Sequence, residues 1–265
     1  MMLFKDIFDE LKELNETELF YKQYYIAKQN PQNFRKYLIS LDQKIIYENK
    51  WWIPELQDSF ARYFPELSIE HSRDNIKIVR HNRYNPLFPH SHAFFEMIYV
   101  YEGRCENTIE GKLINMEQGD ICIVAPETTH TMGVFDDDSI VFNIIIRKST
   151  FIDKFIDLFN DDTILSVFFN ETLFSNKANS YITFSAKNDK YLQSILKFLI
   201  VEGIRLEKYY NTSMEILLRA AFCVMLRKSN EMMISNTHSI YTPKVIEILK
   251  YIQANFKSVT LDVLA

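Results

Sequence analysis

The sequence predicts an α+β fold in which a small all-β barrel or sandwich sits between two helical regions. Three observations predict it. Residues 1–70 contain no glycine, and their apolar side chains recur at helical spacing. Four of the five glycines then fall between 103 and 133, with Gly103, Gly111 and Gly119 evenly spaced and β-prone runs between them. Beyond about residue 150 the helical period returns. Strand–turn–strand units repeating every eight or so residues are the signature of a stacked or closed antiparallel sheet.

In the N-terminal block, helices are predicted over 3–14, 17–28, 32–48 and 55–63. Pro31, Pro54 and Pro65 punctuate them, two at expected starts, where a missing N–H costs least. Ile7, Leu11 and Leu14 recur at helical spacing, as do Phe34, Leu38 and Leu41. The pair Trp51-Trp52 is expected to anchor a core or inter-domain contact. The pattern changes near Asn75: Ile76, Ile78 and Arg80 alternate with Lys77, Val79 and His81, as a strand does. Further strands are expected at 96–101, 105–109, 112–116, 121–125 and 139–147. Asp136-Asp137-Asp138 reads as a solvated turn. These acids lack the glycine and bidentate glutamate that a calcium loop needs.

Residues 160–187 read as irregular, and two helices follow. Leu192, Ile195, Leu199 and Leu206 lie near one stripe, and Met214, Leu217, Ala221 and Val224 near another. Asn211-Thr212-Ser213 lies between them, placed to turn the chain and cap the second helix. The hairpin either packs on the barrel or forms a dimer seam, which would use Leu192, Ile195, Leu199, Leu206, Leu217 and Ala221. Thr242-Pro243 then starts another helix, with Val245, Ile248, Leu249, Ile252 and Phe256 on its apolar side. Thr260 caps one more, and the sequence stops a turn into it, as expected of a truncation. The expected organisation is a helical extension (1–72), a barrel (73–150), a helical linker and hairpin (151–235) and a final helical unit (241–265).

Hydrophobic content of 47% and charged content of 25% are those of a globular chain, and a net charge of −5 gives no global signal for nucleic acid. Cys105, Cys122 and Cys223 are far apart and form no C-x-x-C, so buried free thiols are expected. The N-terminus lacks a basic segment followed by an apolar run. Stretches such as Ile140–Ile146 are too short to cross a bilayer, so the expected location is cytoplasmic, with no membrane partner. Asn15, Asn170 and Asn211 head glycosylation sequons, which carry no weight in that setting.

The chemistry concentrates in His90, His92, Glu96 and, later, His130. Residues two apart on a strand share a face, so His90 and His92 point the same way. Four residues of straight strand span about 13 Å, too far for Glu96 to join them. The chain must therefore bend at Ala93-Phe94-Phe95 and return Glu96 beside the histidines, with His130 arriving from a later strand. Ile98 and Val100 continue the same face as an apolar floor. Such a group suits a divalent transition metal (Zn, Fe, Mn or Ni) or a polar pocket for a small organic molecule.

The pattern H-x-H-x3-E-x6-G, here His90, His92, Glu96 and Gly103, resembles the first cupin motif. Gly119-Asp120 through Pro126 to His130 resembles the second. The match spans about residues 76–147. The first motif's leading glycine falls at Tyr84, the glycine after the proline is replaced around Thr128, and the terminal asparagine is Val134. The resemblance implies that all four metal-carrying positions of cupin enzymes hold competent residues.

The whole chain is similar to the AraC family of bacterial transcription regulators. A cupin-type barrel (a double-stranded β-helix or jelly roll) is followed by a helical hairpin. A helix-turn-helix start then reads Ile248, Tyr251, Ile252, Thr260, Leu261, Leu264 and Ala265. The resemblance implies that the barrel senses a small-molecule effector, that the helices form a homodimer, and that helix-turn-helix units bind DNA with a recognition helix beyond Ala265. It assigns no catalytic residue. Two alternatives stay open: a metal-dependent cupin enzyme (dioxygenase or isomerase), and a barrel that serves only as a dimerisation scaffold. Residues 1–72 lie outside that family's usual core, and the sequence gives them no role.

Overall fold

The structure, a computed structural model, describes residues 4–57, 62–66, 74–174 and 180–236. The helix predicted from Thr242 and the helix-turn-helix start at 241–265 lie outside the described residues.

Four helices open the chain: α1 (Phe4–Glu10), α2 (Glu16–Lys28), α3 (Pro31–Ser40) and α4 (Gln43–Glu48). Helix α1 is shorter than the predicted 3–14 because Asn15 starts a new helix. Asn15 Oδ1 accepts from the Glu18 N–H at 2.9 Å, and Glu18 Oε2 accepts from the Asn15 N–H at 3.0 Å, a reciprocal capping box. The single helix predicted over 32–48 is two. Leu41 is extended, with ψ 131°, and Asp42 accepts from the Lys44 N–H to start α4. The end of the predicted helix 55–63 is instead a short strand, β1 (Tyr63–Phe64). Tyr24, Ile46 and Ile53 form this block's own core, with Phe20, Phe34 and Trp51 packed against it.

Strands follow in order: β2 (Ile76–Arg80), β3 (Ser91–His92), β4 (Phe95–Glu102), β5 (Arg104–Ile109), β6 (Lys112–Glu117), β7 (Asp120–Val124), β8 (His130–Gly133) and β9 (Ile140–Ile146). The turns explain the glycine spacing. Glu110 and Gly111 have φ 48° and 80°, as a two-residue hairpin turn of type I′ requires. Gly103 has φ +74°, and a Cβ there would lie 2.7 Å from the Ser139 Cα, so only glycine fits.

The C-terminal part holds α5 (Lys148–Lys154), α6 (Ile164–Phe174), β10 (Tyr181–Ser185), α7 (Lys190–Arg205), α8 (Tyr210–Met232) and β11 (Met233–Asn236). A six-stranded sheet, β11-β10-β7-β4-β9-β2, and a three-stranded one, β6-β5-β8, make a two-sheet sandwich. Ile98, Val100, Cys122, Val124 and Val141 from the first meet Cys105, Ile109, Met116 and Met132 from the second in an inner core. The opposite parity of the large sheet, including Phe95, Met97, Tyr99, Ile123, Phe142 and Ile144, packs against the helices. Both faces of β4 are therefore buried, and its sequence is apolar nearly throughout.

The predicted irregular stretch 160–187 contains α6 and β10. Leu165, Phe168, Phe169, Asn170 and Thr172 of α6 are all buried, so this helix has no polar face to reveal its period. The helical hairpin turns at Leu206 and Tyr209, both left-handed (φ 50° and 72°), rather than at 211–213, and α8 has no side-chain cap. Leu192, Ile195, Leu199 and Ala221 are buried in the main core, Leu217 packs partly against it, and Leu206 is exposed. The stripe that could have formed a dimer seam is thus occupied within one chain, packed on the outer face of the large sheet.

Two anchors fix the N-terminal block to the barrel. Ile7 and Phe8 of α1 join the main core. Glu18, fully buried, accepts from Arg83 Nε at 3.0 Å and Arg80 Nη2 at 2.5 Å. Arg83, also buried, donates further to the carbonyls of Lys12 and Glu13 at 3.0 and 2.9 Å, and to the Asp137 carbonyl. Burial opposes the Glu18 charge, but the Arg83 hydrogen bonds outweigh it and hold its carboxyl below the usual range. Trp51 stacks on Phe20, and Trp52 meets Phe88 of the barrel edge-on.

Candidate functional site

The chain reaches the barrel rim at His90, whose backbone N–H and C=O pair with those of His130 at 3.0 and 2.9 Å. It runs through β3, bends at Ala93 and Phe94, and re-enters as β4. That bend brings Glu96 back to the histidines. Glu96 Oε2 lies 3.2 Å from His92 Nε2 and 3.0 Å from His130 Nε2. The His90 and His130 rings are 4.3 Å apart, centroid to centroid. All four side chains line one cavity of about 280 Å³. Ile98 and Val100 lie deeper, in the inner core rather than in the cavity lining.

Each imidazole spends one nitrogen on the backbone. Nδ1 of His90, His92 and His130 faces the carbonyls of Phe88, Phe94 and Thr128 at 3.2, 2.8 and 3.4 Å. A carbonyl only accepts, so Nδ1 carries the proton and Nε2 is left for the cavity. In the neutral rings, the Nε2 lone pairs of His92 and His130 would face carboxylate lone pairs. The cluster therefore calls for positive charge between them: a second proton on an imidazole, or a cation. Burial opposes the charge of Glu96, but hydrogen bonds from His130 and His92 outweigh it and hold the carboxyl well below its ordinary pKa. His90 is pushed down to about 4, by burial first and by neighbouring His130 second.

The donor set fits a divalent metal. His90, Glu96 and His130 offer ligand atoms all within 4.8 Å of one another. Adjacent ligands bound about 2.1 Å from one ion stand roughly 3.0–3.4 Å apart. The His130–Glu96 edge, 3.0 Å, falls within that range, while His92, 3.2 Å from Glu96, stands outside this group of three. Zn, Fe, Mn and Ni all accept imidazole and carboxylate ligands.

Sequence reasoning missed the part of the cavity lining that Lys77, His81, Asn85 and Asn143 form with Ile145. In register, Lys77 lies beside Ile145 and Ile145 beside Glu96, while Val79, Asn143 and Ile98 form the next row. The alternation in β2 could have found Lys77 and His81, because both share the inward parity. Nothing local announces Phe64, which enters the lining from β1 through parallel pairing with β3. Burial holds His81 neutral, with its pKa pushed down to about 4.

Other candidate groups are engaged elsewhere. Asp136 Oδ1 accepts from the Asp138 and Ser139 N–H groups at 3.1 and 2.8 Å, as a turn residue does. All three cysteines are free thiols, and burial lifts Cys105 to about 12, far from thiolate chemistry. No helix among the described residues is long and apolar enough to cross a membrane.

Residues 78–156 match the family model described as AraC-like ligand binding domain. No curated protein sequence matches the chain. Among solved structures, the chain is similar to an apo variant of ToxT from Vibrio cholerae, at 11% identity over 74% of this chain and 70% of that one, with a TM-score of 0.43. Wild-type ToxT from the same organism, bound to an unsaturated fatty acid, is 10% identical over 73% of this chain and 69% of that one, with a TM-score of 0.37. A cupin protein from Bacteroides fragilis is 22% identical over 28% of this chain and 64% of that one, with a TM-score of 0.24. His90, His92, Glu96 and His130 all lie within the stretch that matches the AraC-like ligand-binding domain.

Proposed function

We propose that this chain is the sensory part of a ligand-responsive transcription regulator. The small-molecule effector sits in the barrel cavity and controls a helix-turn-helix unit that starts in 241–265. The observation that carries this reading is the cavity itself, about 280 Å³ with both polar and aromatic side chains in its lining, built almost wholly from the matched domain. An effector acts here only through its different affinity for two arrangements of the chain. In this reading the chain is a homodimer. With Leu192, Leu199 and Ala221 buried, pairing through the hairpin uses its outward side chains, Tyr191 and Phe198 of α7 and Ile216 of α8.

Thermal-shift screening of the chain against sugars, organic acids and nucleotides tests the reading. A ligand that binds only the folded state raises stability by mass action, by about 2.7 kcal/mol at a hundred times its Kd. Expected is at least one stabilising class whose effect disappears in His130→Ala. Silence across the panel would leave the barrel as a scaffold.

A second reading, a metal-dependent enzyme, is favoured by one observation: the spacing of the Nε2 and Oε2 atoms at the cluster. His90, His92, Glu96 and His130 would hold the ion, which would supply Lewis acidity. Elemental analysis of protein purified without chelator, beside His92→Ala, separates the two. A stoichiometric transition metal lost on substitution supports the enzyme; metal-free protein removes it.

A further inference from the structure

The cavity lining holds two unlike sets of polar residues. In one set, His92 Nε2 and His130 Nε2 lie within hydrogen-bond distance of Glu96 Oε2. The other set has no such neighbours. His81 Nε2, Asn85 Oδ1 and Asn143 Oδ1 are buried without a hydrogen-bond partner, and all three residues line the cavity. Unanswered buried polar atoms are rare in folded proteins, and three around one enclosure point to a molecule that completes them. Lys77 stands exposed in the same lining. No ion pair or hydrogen bond engages it among the described residues.

We propose that this second set binds the polar end of the effector, and that the effector is a short hydroxylated carboxylate. This rests on the effector reading above. A hydroxyl both donates and accepts, so a run of hydroxyls satisfies two amide oxygens and an imidazole nitrogen whichever tautomer His81 adopts. The ammonium of Lys77 takes the carboxylate, since it is the charge in the lining that no other described side chain neutralises. Phe64, Phe88 and Phe94 supply flat apolar surface for the C–H faces of such a chain. A volume of about 280 Å³ suits a small organic molecule of this kind.

The test uses metal-free protein in chelator with four probes. Gluconate and glycerate carry both features, sorbitol has the hydroxyls alone, and hexanoate has the carboxylate alone. Calorimetry reads binding. Tryptophan fluorescence reads occupancy, because Trp52 packs edge-on against Phe88 in the cavity wall. Expected is binding of gluconate or glycerate at least tenfold tighter than sorbitol or hexanoate. Lys77→Met and Asn143→Ala should each weaken it at least fivefold while melting temperature changes little. Binding that survives both substitutions overturns the assignment. Binding of hexanoate or sorbitol alone, abolished by Phe88→Ala, overturns the ligand class and leaves the cavity an effector site. Silence from all four probes also overturns the class, and the broad panel then judges the effector reading separately.

Discussion

At the scale of single residues, the cavity is governed by which atoms are already spoken for. Backbone carbonyls fix the orientation of three imidazoles, and two of them hold the Glu96 carboxylate ionised in a buried place. His81 has no such support. Its folded pKa is depressed to about 4 by burial, against an ordinary value of 6.5. As pH falls below about 6.5, the unfolded chain takes up this proton and the folded chain does not, so stability drops steadily down to about pH 4. Urea midpoints measured from pH 7 to pH 4.5 should fall, and His81→Asn should flatten that slope. An equal slope in the variant would show that His81 is not held neutral. The residue scale is also where the sequence was most legible for the histidine–glutamate side and least for the other. A motif of fixed spacing carries its own identity. Asn85 and Asn143 are ordinary surface-type residues in sequence, and they acquire meaning only in the fold, Asn143 when β9 pairs with β2 and β4, and Asn85 from the loop that follows β2.

At the scale of elements, the attachment of α2 is the most sharply testable feature. Glu18 lies between Arg80 and Arg83 with all three side chains largely withdrawn from water. Removing the carboxylate leaves a buried guanidinium without its counter-charge, which costs about 3–5 kcal/mol. Glu18→Ala should therefore lose stability on that order in urea titration, whereas Lys44→Ala, which breaks an exposed pair, should cost about 0.5 kcal/mol or less. A loss under 1 kcal/mol at Glu18 would mean that the anchor contributes little. Legibility at this scale followed the surroundings of each segment. Strands bounded by turns that demand positive φ, at Gly103 and Gly111, were readable from the glycine spacing even where both faces are buried, as in β4. Helix α6 and strand β10 were not, because burial on nearly every side erases the polar half of the pattern. The split between α3 and α4 was hidden because a local cap at Asp42 overrides a continuous helical period.

At the scale of the whole molecule, helix α1 shares the main core, which runs from Ile7 to Met225, with the outer face of the large sheet and the helical hairpin. Sequence patterns could not show this, since contacts between segments so distant in the chain leave no local trace. Between them the chain from Arg80 to Asn85 faces two ways. His81 and Asn85 look into the cavity, while Arg80 and Arg83 grip Glu18 and Tyr84 bonds Asp137. A guest lodged against the inward pair steadies the same short ribbon whose outward pair moors α2. Amide exchange in α2 should slow when the cavity fills, and Glu18→Gln should abolish that slowing without preventing uptake of the guest. Exchange in α2 indifferent to occupancy would mean that news of the bound molecule leaves the barrel by another route.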